Sequence, residues 1–178
     1  NDEQGNIHFK KMKHTWNDGK CIYCGANQEV YDREDALETY AYNFIHTNKP
    51  EKRFNMKFDV IVGNPPYQLS DGGHGRSASP IYQKFVEQAK KLNPRYLTMI
   101  IPARWFAGGK GLDEFRTNML NDKRVRKIVD FENSNEVFPG VDVAGGICYF
   151  LWDRDNQGLC EITNFYNGEK VNTERSLS

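Results

Sequence analysis

The stretch "FDVIVGNPPYQ", residues 58–68, decides how the rest of the chain is read. Phe58, Val60, Ile61 and Val62 are strand formers and predict a buried strand over 58–63. The run stops at Gly63 and passes into Asn64-Pro65-Pro66-Tyr67. Pro65 carries a carbonyl but no N–H, and its ring fixes φ. Pro66 then disfavours helical geometry at Pro65. The expected result is a rigid turn that offers two acceptors, Asn64 Oδ1 and the Pro65 carbonyl, beside the ring of Tyr67. In open α/β sheets ligands sit beyond the carboxyl ends of the strands, which is where this turn falls.

That set answers one chemical problem, an exocyclic amino group on a planar ring. The lone pair of such a nitrogen is delocalised, so the group is a poor nucleophile. Two acceptors that hold both N–H bonds favour a tetrahedral nitrogen with its lone pair free to attack. Their dipoles act where positive charge develops, and preorganised dipoles are most effective there. Tyr67 would stack on the ring, a contact worth roughly 1–3 kcal/mol per base.

Outward from the turn, "QLSDGGHGRSAS" (68–79) predicts a loop that includes His74 and Arg76. Pro80 opens a helix to about Leu92, with Ile81, Phe85, Val86 and Ala89 on one face. "YLTMIIPA" (96–103) is a second apolar strand. "AGGKG" leads into a helix with Leu112, Phe115, Met119 and Leu120 inward. Strands follow at 125–132, 145–153 and 160–165, the last two as a hairpin-like antiparallel edge. Upstream, "DREDALETYAYNFIHT" has helical spacing, and 48–56 is a charged connector containing Pro50. Strands alternating with helices, in near-continuous apolar runs, give an α/β fold with a mainly parallel sheet.

These segments carry a resemblance. "DVIVGNPPYQ" resembles motif IV of the S-adenosylmethionine-dependent N6-adenine DNA methyltransferases. "SASPIYQKFVEQAKKL" is similar to the helix that follows it, "RYLTMIIPARWF" to the next strand, and "VFPGVDVAGGICYFLW" to motif VIII. The likeness covers roughly 57–153 and best suits the methylases of restriction–modification systems, including those fused to an endonuclease. It implies a partial Rossmann-like methyltransferase sheet, mainly parallel with an antiparallel strand near the end. Asn64, Pro65, Pro66 and Tyr67 take the catalytic positions. Tyr67 and Phe138 would sandwich an adenine flipped out of double-stranded DNA, with Phe131 and Phe106 as alternatives for the second ring. The family's Gly-rich cofactor turn and its acidic partner are not visible upstream of residue 58, and "FAGGKG" follows the wrong strand. The expectation is therefore the second half of a catalytic domain (57–178) that binds S-adenosylmethionine poorly by itself and works with the rest of a parent restriction–modification polypeptide. Residues 1–56 are a separate N-terminal segment with one helix.

That segment contains "HTWNDGKCIYCGA", in which Cys21-x2-Cys24-Gly25 forms a knuckle able to present two thiolates to one zinc ion. His14 is the third candidate ligand and His46 the fourth, with His8 as the alternative. Such a zinc would be structural.

Composition bounds the alternatives. The 178 residues carry 24 Lys+Arg against 24 Asp+Glu, so no global basic excess announces a free-standing nucleic-acid binder. No apolar run is long enough for a membrane span. The polar start, Asn1 to Asn6, has no Met and no signal-peptide core, so it reads as the cut edge of a longer cytoplasmic chain. Two competing functions remain open: methylation of an RNA base or a protein glutamine amide, which can use the same turn, and a non-catalytic DNA-binding module. The second would tolerate replacement of Asn64.

Overall fold

The computed structural model describes residues 14–28, 44–47, 49–54, 56–69 and 79–178. Its first element is a small hairpin of β1 (Trp16–Asn17) and β2 (Lys20–Cys21). Asp18 and Gly19 join the strands with φ of 47° and 70°, the left-handed pair that a tight two-residue hairpin demands. Most of the helix expected over 32–47 lies outside the described residues, as do His8, His74 and Arg76. Its end at Phe44 and Ile45 is helical. Within the charged connector Pro50 starts a short helix, α1 (Pro50–Phe54), because proline fits the first helical position.

The main body is a six-stranded sheet flanked by α2 (Tyr82–Lys91) and α3 (Asp113–Asn121). Its strands are β3 (Val60–Gly63), β4 (Tyr96–Pro102), β5 (Val125–Phe131), β6 (Ile147–Asp153), β7 (Cys160–Tyr166) and β8 (Glu169–Arg175), in spatial order β3-β4-β6-β5-β7-β8. Only β3–β4 and β5–β7 are parallel. The pairs β4–β6, β6–β5 and β7–β8 are antiparallel, so the sheet is mixed and the mainly parallel expectation is corrected.

The reason lies in the connections. β5 and β6 are joined by 132–146 without a crossover helix, and Phe131 pairs with Ile147 at the same end of the sheet. A chain that returns at the end it left must run antiparallel. β6 thus slots between β4 and β5 instead of forming a hairpin with β7, which runs parallel to β5. The sixth strand, β8, follows from the turn Asn167-Gly168, with φ of 50° and 78°.

Tyr82, Val86 and Ala89 from α2, with Phe115 and Met119 from α3, pack on Leu97, Ile101, Phe150 and Trp152 of the sheet. β3 departs from its expected burial. It is an edge strand, and Val60 and Val62 are 53% and 74% exposed while Ile61 packs inward. A second cluster joins Cys21, Cys24, Ile45, Leu69, Ile81 and Phe85. It ties the N-terminal hairpin to the chain on either side of residues 70–78. Among the described residues no helix is long and apolar enough to cross a membrane.

Candidate functional site

Strand β3 ends at Gly63, and the next four residues cross the end of the sheet. Asn64 is exposed, Pro65 buried, Pro66 and Tyr67 half-buried. The Ile81 N–H donates to the Tyr67 carbonyl (3.1 Å) and the Leu69 N–H to the Ser79 carbonyl (2.9 Å), with Gln68 and Pro80 bridged between them. Tyr67 is therefore held from α2's side as well as from β3's. Its hydroxyl is buried without a hydrogen-bond partner among the described residues. Burial, with a smaller push from Cys148, raises its phenol above the ordinary value, so the ring stays neutral.

Asn64, Pro65, Pro66, Tyr67 and Gln68 form one wall of an open hollow of about 650 Å³; Phe138 and Val141 form the other. The second wall is built locally. The Val141 N–H donates to the Phe138 carbonyl (3.0 Å), and Gly140 has φ of 79°. Phe138-Pro139-Gly140-Val141 is a type II turn, which requires the glycine. Ser134 clasps it: Oγ donates to the Val141 carbonyl (2.7 Å) and accepts from the Val143 N–H (2.9 Å). Gly146, with φ of 80°, closes the segment against β5, where a Cβ would lie 2.3 Å from the Phe131 carbonyl. Only glycine fits there.

The two alternative rings go elsewhere. Phe131 stacks on Phe165, centroids 4.6 Å apart and planes at 1°, and Phe106 lies 4.5 Å from Trp105. Of the three phenylalanines, Phe138 is the one that lines the hollow with Tyr67. Gln68, Val141 and Ser134 were not singled out from sequence. Ser134 had no signal of its own, since its role depends on a carbonyl seven residues away. A second hollow of about 310 Å³ shares Tyr67 and Gln68 and carries Arg104, Lys110 and Asp142 on its walls.

Away from these hollows the structure brings His14, Cys21, Cys24 and His46 together, their ligand atoms all within 4.8 Å of one another. Burial is the main cause that lowers His46 to about 4, with His14 and Lys84 adding to it, so its imidazole is neutral at pH 7. All four cysteines are free thiols.

Residues 1–138 match the model of the Eco57I restriction-modification methylase family. An uncharacterized adenine-specific methylase of Mycoplasma pneumoniae is 38% identical over 191 residues, covering 98% of the chain; the chain spans 45% of that relative's length. Two solved structures are also among the matches. The type I restriction-modification methyltransferase subunit from Streptococcus thermophilus is 11% identical, with a TM-score of 0.43 over 65% of this chain and 29% of its own. The type IIL enzyme MmeI in complex with DNA is 14% identical, with a TM-score of 0.45 over 75% of this chain and 20% of its own.

Proposed function

The chain belongs to the Eco57I restriction-modification methylase family, and from that premise we propose that it forms the acceptor half of a site that methylates adenine N6 in double-stranded DNA. The observation that carries this reading is the shared hollow of Asn64, Pro65, Pro66 and Tyr67 with Phe138. Asn64 Oδ1 and the Pro65 carbonyl accept the two N–H bonds of the amino group and stabilise positive charge as it develops on nitrogen. The surplus proton then leaves to solvent, since neither acceptor is basic. Tyr67 and Phe138 hold the flipped ring between them. Arg104 and Lys110, on the neighbouring hollow, supply local positive charge for phosphates in a chain whose net charge is zero.

The methyl donor in this reading is S-adenosylmethionine. The residues that line the hollow include no carboxylate and no glycine turn, so they do not amount to a grip for it. This chain's contribution is therefore to the acceptor, with residues 57–178 as the second half of the catalytic domain and 1–56 as its N-terminal attachment. The exposed valines of β3, which among the described residues pairs on one side alone, support the same division, because they suit a strand that meets more of the same sheet. The aromatic wall supplied by Phe138 favours a flipped base over a glutamine amide.

The test is methyl transfer by the full-length protein from tritiated S-adenosylmethionine to unmethylated DNA, RNA and cell protein. Label at adenine N6 in DNA is expected, and Asn64→Ala should lower its rate by roughly 10²–10³. Label in another polymer overturns the substrate. An Asn64→Ala protein that transfers at the wild-type rate overturns the acceptor assignment.

A further inference from the structure

The His/Cys cluster joins pieces that lie far apart in the chain. β1 and β2 contribute two residues each, far too little to bury a core. Yet Cys21 and Cys24 are 3% and 2% exposed, and His46 arrives from a point 22 residues further along the chain. The knuckle is folded so that both thiols face the same way. The Gly25 N–H donates to the Cys21 carbonyl (2.8 Å), the Cys21 N–H to the Ala26 carbonyl (2.9 Å), and Gly25 takes φ of 78°.

Two of the distances across the cluster are those of edges of a metal tetrahedron. Cys21 Sγ is 3.8 Å from His46 Nε2, and Cys24 Sγ is 3.4 Å from His14 Nδ1. With zinc–sulfur bonds of about 2.3 Å and zinc–nitrogen bonds of about 2.0–2.1 Å, a tetrahedral sulfur–nitrogen edge is about 3.6 Å. The charges balance as well. Two thiolates cancel a divalent cation and two imidazoles add nothing, so a neutral unit is buried, whereas a bare cation would not be tolerated there. Each thiol releases one proton as the ion enters. The rings of Trp16 and Tyr23 stack on His14 and His46.

We propose that His14, Cys21, Cys24 and His46 bind one structural zinc ion, and that the ion braces the backbone on which Tyr67 sits. The second step follows from what the cluster touches. Leu69 and Ile81 share one apolar cluster with both cysteines, and their N–H groups make the two bonds that pinch the chain on either side of residues 70–78. α2 holds the same unit from below. Lys84 Nζ donates to the Tyr23 carbonyl (2.7 Å), and Gln88 Nε2 to the carbonyls of Phe44 (2.9 Å) and Thr47 (2.6 Å). The zinc thus fixes one side of a clamp whose other side is the residue after Pro66. The metal assignment stands apart from the methylation reading; only the purpose of the brace rests on it.

The experiment uses the full-length protein purified without added metal. Elemental analysis should find about one zinc ion per chain, lost in Cys21→Ser/Cys24→Ser, and cobalt exchanged into the wild type should show the visible bands of tetrahedral thiolate–imidazole coordination. Less than about a tenth of an equivalent, or a Cys21–Cys24 disulfide in the purified protein, overturns the site. Chelation of the wild type should then speed amide exchange at Leu69 and Ile81 at least about tenfold while β4 and β6 keep their protection. Unchanged exchange at those two amides, or loss of protection throughout the sheet, overturns the brace. Neither readout uses methyl transfer, so failure here is distinct from failure of the proposed function.

Discussion

Replacing Phe138 by alanine is the sharpest perturbation of the proposed base pocket. Phe138 is half-buried and belongs to neither apolar core cluster, and the turn that carries it is closed by backbone and Ser134 hydrogen bonds. Its ring can be removed without opening the fold. What is lost is one face of the stack, worth roughly 1–3 kcal/mol. At about 1.4 kcal/mol per decade, that is a 5- to 150-fold loss, roughly, in kcat/KM for the DNA substrate. Urea unfolding should stay within about 0.5 kcal/mol of wild type, as for a substitution outside the core. Phe131→Ala should behave in the opposite way: its ring stacks on Phe165, so stability falls by about 0.5–1.5 kcal/mol while the pocket keeps both walls. The assay pairs methyl transfer with the fluorescence of 2-aminopurine placed at the target adenine of a substrate duplex, using the full-length protein. A folded Phe138→Ala protein with wild-type kcat/KM and wild-type fluorescence refutes the second wall of the pocket.

Other consequences concern the scaffold. Asp122 accepts from Lys90 Nζ (3.0 Å), Arg124 Nε (2.7 Å) and Trp152 Nε1 (2.9 Å), its side chain 10% exposed. Burial works to raise its pKa, but the Arg124, Lys90 and Trp152 bonds outweigh it and hold the carboxyl well below the usual range. Asp122→Asn should cost about 3 kcal/mol in urea unfolding at pH 7. Because the folded value is depressed, that contribution is complete above about pH 4 and drains away as pH falls through the folded pKa, so the gap between the two proteins must narrow in acid. Ser134→Ala removes a nearly buried hydroxyl that satisfies two backbone groups; a loss of about 1–3 kcal/mol is expected in thermal unfolding, with a rise in KM for DNA as Phe138 loosens. Gly146→Ala places a methyl against the Phe131 carbonyl at positive φ, and chemical denaturation should register a loss of about 2 kcal/mol or more.

Local signals in the sequence proved dependable, and relations between distant strands did not. The helix after Pro80 was legible because Ile81, Phe85, Val86 and Ala89 recur at helical spacing, and all four are buried. The apolar runs at 96–103, 125–132 and 145–153 became β4, β5 and β6 with ends shifted by two residues at most. Nothing in "ICYFLWD" reveals whether its neighbours run with it or against it, since a strand buried on both faces reads alike in either case. β8 escaped for a different reason. All of Glu169–Arg175 is exposed, so no apolar alternation marks it, although Asn167-Gly168 was a hairpin signal in plain view. β3 was expected to be buried because composition reports what a strand could pack against, not whether this chain brings it. In the site, Asn64 to Tyr67 stood out as contiguous rigid residues. Phe138 could be separated from Phe131 and Phe106 only in three dimensions, by the Phe165 stack and the Trp105 contact that occupy the other two rings.

The backbone bonds that flank residues 70–78 also bear on how this part of the chain can vary. Tyr67, Leu69, Ser79 and Ile81 are joined by their own backbone bonds, so the chemistry on one side of the pinch is insulated from whatever lies on the other. The cost of closing a longer loop grows only slowly with its length. A change in the number of residues between Leu69 and Ser79 is therefore expected to leave those bonds intact.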